Sequence, residues 1–119
     1  MNWVTSHLMI LVLFVDYYLD RQHAAVIQKN FIGLKDSLIP DRIIDHLYSK
    51  RAFDHEDFAD AKQPHTVGDK VEVLMLYLMR KPVMCYNLSR NALIEDEQQH
   101  VLQFLPEIEP TTSVSAINC

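Results

Sequence analysis

Residues 66–80 read Thr66-Val67-Gly68-Asp69-Lys70-Val71-Glu72-Val73-Leu74-Met75-Leu76-Tyr77-Leu78-Met79-Arg80. Thr66 with Asp69 three residues later is a helix start, because the hydroxyl accepts from backbone N–H groups that the first turn leaves open. From Val71 to Met79 every residue except Glu72 is apolar. A helix apolar nearly all round is buried on most sides, so this stretch predicts the central helix of an all-α core. Pro82 ends or kinks it and suits the first turn of a following helix.

Working outward toward the N-terminus, Ile27, Phe31, Leu34 and Leu38 fall at i, i+4, i+7 and i+11 and predict a first helix. Pro40 breaks it at Ile39 and opens a second, with Ile43, Ile44 and Leu47 inward and Asp41, Asp45 and Lys50 in solvent. Asp54 followed by Asp57 predicts a capped third helix in which Phe58 and Ala61 face inward, closed by Pro64. Toward the C-terminus, Met84, Tyr86, Leu88 and the pair Ala92-Leu93 mark a fifth helix. Glu95-Asp96-Glu97 suits the N-terminus of a sixth carrying Val101, Leu102 and Leu105. Six short helices in 86 residues, 20–105, make a helical bundle.

The rest of the chain agrees. It has 119 residues, 49% of them apolar, which is room for one domain with short flanks. Two glycines, where about eight are average, are too few for a β-sandwich or a phosphate-cradling loop. A net charge of −5 with no Lys/Arg run disfavours nucleic acid. Cys85 and Cys119 make neither a disulfide framework nor a zinc cluster, which fits a reducing, cytoplasmic setting. Residues 1–19 form a hydrophobic extension in which Leu8 to Val15 is uninterruptedly apolar. Thr5, Ser6, His7 and Asp16 bracket that run too closely for the roughly 20 apolar residues of a membrane span. Residues 106–119, with Pro106, Pro110, Thr111, Thr112, Ser113 and Ser115, read as a solvated tail or linker.

The ordered series from Phe31 to Leu105 resembles the caspase recruitment domain family of the death-domain superfamily. It is carried by Asn30-Phe31 through Leu38, Ile43-Ile44-Asp45-His46-Leu47, Phe53-Asp54-His55-Glu56-Asp57-Phe58, Thr66-Val67-Gly68-Asp69-Lys70, Arg80 with Pro82, Asn91-Ala92-Leu93, and His100-Val101-Leu102 with Leu105. The resemblance implies an antiparallel six-helix Greek-key bundle whose first helix is bent, and Gly33 inside that helix marks a place for the bend. The chain departs from the family in four places. Val67-Gly68 stands where an arginine is common, Lys81 where glycine is common, and Ser89 where an aromatic is common. The Arg80-to-Ala92 spacing is one residue longer. These departures touch the junction of the fourth and fifth helices, and Gly68 removes a charge from one half of the expected binding surface.

No catalytic constellation emerges. His46, His55 and His65 lie nine and ten residues apart, which matches no ligand pair, so the histidines read as surface groups. Cys85 between Met84 and Tyr86 reads as a core cysteine rather than a nucleophile. Met75, Met79 and Met84 read as core filler, and no cofactor or metal is expected. What remains is charge. The resemblance implies an acidic face of Asp41, Asp45, Asp54, Glu56, Asp57 and Asp60 opposite a basic face of Arg21, Lys29, Lys35, Lys70 and Arg80. Through such faces these domains pair with one another, since complementary patches steer encounter and set register. The implied function is recruitment of caspases or caspase-activating scaffolds by homotypic contact, in regulation of apoptosis or related signalling. Contact of one face with the opposite face of another copy also allows homo-oligomers. Two alternatives stand beside it: the prodomain of an initiator caspase, with the tail as linker to a protease domain, and a membrane-tethered adaptor anchored by residues 3–19.

Overall fold

Several helix starts fall where local chemistry sets them. The computed structural model describes residues 21–108. Among them are α1 (Gln22–Lys29), α2 (Phe31–Ser37), α3 (Asp41–Ser49), α4 (His55–Lys62), α5 (Val67–Arg80), α6 (Val83–Glu95) and a 3-10 helix (Gln99–Phe104), with no strand among the described residues. The Thr66 hydroxyl accepts from the Asp69 N–H at 3.1 Å. At α4, Asp54 and Asp57 each accept from the other's backbone N–H, a complete capping box. Pro40 and Pro82 precede α3 and α6 as N-caps.

Helices α1 and α2 are the two halves of the expected first helix. The break lies at Asn30, with φ −103° and ψ 18°, and its side-chain amide donates to the Val26 carbonyl at 3.0 Å. Gly33 is therefore not the bend. It sits within α2, where a Cβ would come within 2.4 Å of Cε1 of Phe104. Its role is to let the Phe104 ring approach the helix backbone.

The core is drawn from every helix. Ile27, Leu34, Ile43, Ile44, Leu47, Leu74, Met75, Leu78, Tyr86, Leu93, Val101 and Leu105 are fully buried, each large side chain contributing about 1.5–3 kcal/mol on transfer from water. Helix α5 packs against α1, α2 and α4, while α3 packs on α4 and α6 and the 3-10 helix closes against α2 and α6. As expected, α5 is central. Its burial is narrower than its composition: Val71, Leu74, Met75 and Leu78 are buried, but Leu76 is 47% exposed. Being apolar does not force a residue inward when the neighbours of a helix cover only part of its circumference.

Other expectations are corrected. Met84 is 64% exposed and fills no core, because the first turn of α6 turns Cys85 and Tyr86 inward instead. The sixth helix is a 3-10 helix, and Glu95-Asp96-Glu97 ends α6 rather than opening it. Glu97 takes φ 62°, and the Gln98 and Glu97 N–H groups return to the Leu93 and Ile94 carbonyls, which closes α6 in a Schellman turn. Arg51 (φ 63°) does the same after α3. The described fold also passes Leu105. The Tyr86 hydroxyl donates to the Pro106 carbonyl at 2.6 Å, Arg90 to the Leu105 carbonyl at 2.7 Å, and Ile108 packs on the core. The extension 1–19 and most of the expected tail, 109–119, lie outside the described residues.

Candidate protein-interaction surface

Asp41 and Asp45, one turn apart on α3, project from the side opposite Ile43, Ile44 and Leu47, and their side chains are 54% and 55% exposed. Two lysines reach them from later helices. Lys62 of α4 lies 3.0 Å from Asp45 and also donates to the Asp41 carbonyl at 3.2 Å. Lys70 of α5 lies 3.0 Å from the Asp41 carboxylate. The hydrogen bond from Lys70 holds the Asp41 carboxyl below its ordinary value, against the opposing effect of burial and with help from Lys62.

The six acids are not equivalent. Glu56 is exposed in the first turn of α4. Asp54 is the α4 N-cap. The Asp60 carboxylate accepts the Tyr77 hydroxyl at 2.5 Å, which pushes the Tyr77 phenol up to about 12. Asp57 has a side chain only 12% exposed and meets the Lys81 ammonium at 2.7 Å. It belongs to the interior of the α4–α5 junction, so the exposed acidic surface narrows to Asp41 and Asp45, with Glu56 and Asp54 at the start of α4.

The expected bases are not all set apart from the acids. Lys70 is paired with Asp41, so the two expected faces meet along the α3–α5 side. Lys35 lies 3.8 Å from Glu72, Lys29 is exposed at the end of α1, and Arg80 is exposed with its guanidinium 5.0 Å from the centre of the Tyr77 ring. The Arg21 guanidinium donates to the Arg80 carbonyl at 2.6 Å. Gly68 meets only the Lys35 side chain, at 3.6 Å from where its Cβ would be.

Sequence reasoning missed the partners that complete this surface. Lys62 is not among the expected bases, Lys81 is marked only as a departure from the family, and the pairs Arg42–Asp96 at 2.7 Å and His46–Glu95 at 3.4 Å that join α3 to the end of α6 carry no sequence signal. No local spacing signals these pairs, because each spans different helices. Lys81, at an atypical position, is a hub: its ammonium holds Asp57, its carbonyl faces the ring nitrogen Nε2 of His23 at 2.7 Å, and its charge lies 5.4 Å from the Phe53 ring centre. His23 is fully buried, contrary to the surface reading of the histidines. Ser89, likewise atypical, is buried and satisfied by donating to the Tyr86 carbonyl at 2.6 Å.

Cys85 is buried in the core, and burial pushes its thiol up, away from nucleophilic reactivity. Among the described residues there is no cluster of three metal-ligating side chains, and no helix there is long and apolar enough to cross a membrane. The family model for the caspase recruitment domain matches residues 24–107. No curated protein and no solved structure matches the chain.

Proposed function

The chain belongs to the caspase recruitment domain family, an all-α family of non-catalytic domains that bind one another by homotypic contact, and from that premise we propose that it recruits a caspase or a caspase-activating scaffold in the cytoplasm and so regulates apoptosis or a related signalling response. The observation that carries this reading is the half-exposed Asp41–Asp45 pair on α3. A carboxylate pair one turn apart, on a helix anchored by three fully buried side chains, offers a partner's guanidinium groups a fixed target, and complementary charge sets both encounter rate and register.

Asp54 and Glu56 extend the acidic surface, and Lys29, Lys35 and Arg80 are the bases that a second domain's acids would meet. Asp57 supports this surface from within through its pair with Lys81, and the Asp60 carboxylate is taken up by the Tyr77 hydroxyl. Lys70 and Lys62 are already engaged by Asp41 and Asp45, so a partner must offer charges that compete with them or add to the network. The experiment is a binding screen of the full chain against a panel of caspase recruitment domains, with other helical domains of the death-domain superfamily as controls. Selective capture of one or a few panel members at moderate salt supports the proposal. Equal binding to the controls, or none to any panel member, contradicts it.

A further inference from the structure

Helix α5 carries two stripes. Val71, Leu74, Met75 and Leu78 are buried in the core. Val73, Leu76, Tyr77 and Arg80 fall at i, i+3, i+4 and i+7, a spacing that also shares one side of a helix. With Pro64 and Asp60 they line an open groove of about 560 Å³. Leu76 is half-exposed there.

Charge gives the groove a sign. Asp60 and Arg80 are its formally charged walls at neutral pH. The Asp60 carboxylate accepts the Tyr77 hydroxyl, so its charge is met from within the groove. Among the described residues Arg80 pairs with no carboxylate, and its exposed guanidinium lies 5.0 Å from the centre of the Tyr77 ring. The groove thus presents apolar surface along about 10 Å of helix, from Val73 onward, and ends in an unmatched cation. Anchors at i, i+3, i+4 and i+7 are the spacing with which one helix is laid against another. The complementary occupant carries apolar anchors at that spacing and a carboxylate beside Arg80, whereas a basic one is penalised by like charge.

We propose that this groove receives an acidic amphipathic helix of another protein, its apolar side chains on Val73, Leu76 and Tyr77 and a carboxylate on Arg80. Such docking removes the second stripe of α5 from water and gives Arg80 its missing counter-charge. The groove lies apart from Asp41 and Asp45, so it is a second binding surface. Arg80 also stands among the bases assigned to domain pairing, so the two ligands compete for it, a consequence that rests on the proposed function.

The test titrates the full chain into a labelled synthetic peptide and reads fluorescence anisotropy, with no recruitment domain present, so its outcome is independent of the proposed function. The probe is a Leu/Glu peptide of about 20 residues, long enough to hold a helix in water, with Leu at i, i+3, i+4 and i+7. A Leu/Lys peptide of the same design is its counterpart. Saturable binding of the Leu/Glu peptide is expected, weakened at least about tenfold by Leu76→Asp. Arg80→Glu is expected to weaken it as well and to strengthen binding of the Leu/Lys peptide, because the charge of one wall has been exchanged. That variant changes an exposed side chain and keeps the test decisive should circular dichroism show that Leu76→Asp disturbs the fold. Absence of saturable binding by the Leu/Glu peptide overturns the proposal, as does binding that both variants leave within about twofold of the wild type. Self-association of the chain alone that Leu76→Asp abolishes, read by sedimentation, overturns it too, since it assigns the groove to a second copy.

Discussion

The Asp57 carboxylate is pulled in two directions. Burial raises the cost of its charge, while the Lys81 ammonium and the Asp54 backbone N–H lower it, and the lowering wins, so its carboxyl titrates below the ordinary value. A group depressed in the folded state adds stability above its unfolded value, near 3.9, and that stability is lost as pH falls through the folded value. Asp57→Asn is expected to cost roughly 2 kcal/mol near neutrality, less than a fully buried pair because Lys81 can turn to water. Its stability should also fall less steeply than that of the wild type below about pH 5. Urea unfolding at a series of pH values measures both. At Gly33 two effects compete: alanine gains about 1 kcal/mol of helix propensity, but its Cβ meets the Phe104 ring at 2.4 Å, and overpacking costs about 1–3 kcal/mol. The ring contact is expected to win, so Gly33→Ala lowers the urea midpoint and Gly33→Ala with Phe104→Leu recovers part of the loss. The capping role of Asp57 is legible in the sequence, since Asp54 is three residues away. Its ion pair is not, since Lys81 arrives from beyond the whole of α5.

Helix starts that rest on a local device were legible: the Thr66 hydroxyl, the Asp54–Asp57 box, and the prolines before α3 and α6 act within one turn. Elements that end by tertiary or left-handed geometry were not. With few glycines in the chain, the Schellman turns after α3 and α6 place Arg51 and Glu97 at positive φ, where a side chain costs about 1 kcal/mol or more relative to glycine. Arg51 is exposed, and Arg51→Gly is expected to raise stability by about 1 kcal/mol in thermal or urea unfolding. No change would mean that the arginine side chain offsets its backbone strain. The sequence Glu95-Asp96-Glu97 misleads because acids suit a helix start, yet here Asp96 holds Arg42 across to α3. Gln98, just beyond, is buried and exchanges hydrogen bonds with both the N–H and the carbonyl of Ile39. The 3-10 helix thus starts from a clamp made with a distant turn, which no local pattern encodes.

At the scale of the molecule, the apolar series was enough to identify the bundle and its family, because spaced core positions are what the fold demands. The interaction surface was half legible. Asp41 and Asp45 were visible as solvent-facing positions of an amphipathic helix, but that Lys70 and Lys62 join them, and that Asp57 lies inside, depends on how three helices come together. The account places partner binding on the exposed pair of α3 and stability on Asp57, and these are separable by one measurement: the Kd of the full chain for the caspase recruitment domain it captures, for the wild type and for Asp41→Lys with Asp45→Lys. The exposed ion pairs lost in that variant are worth about 0–1 kcal/mol each, so its fold is retained by circular dichroism. The account predicts binding weaker by at least about tenfold, about 1.4 kcal/mol, with a salt dependence flatter than that of the wild type. A folded variant that binds within about twofold of the wild type, a difference below about 0.5 kcal/mol, contradicts it.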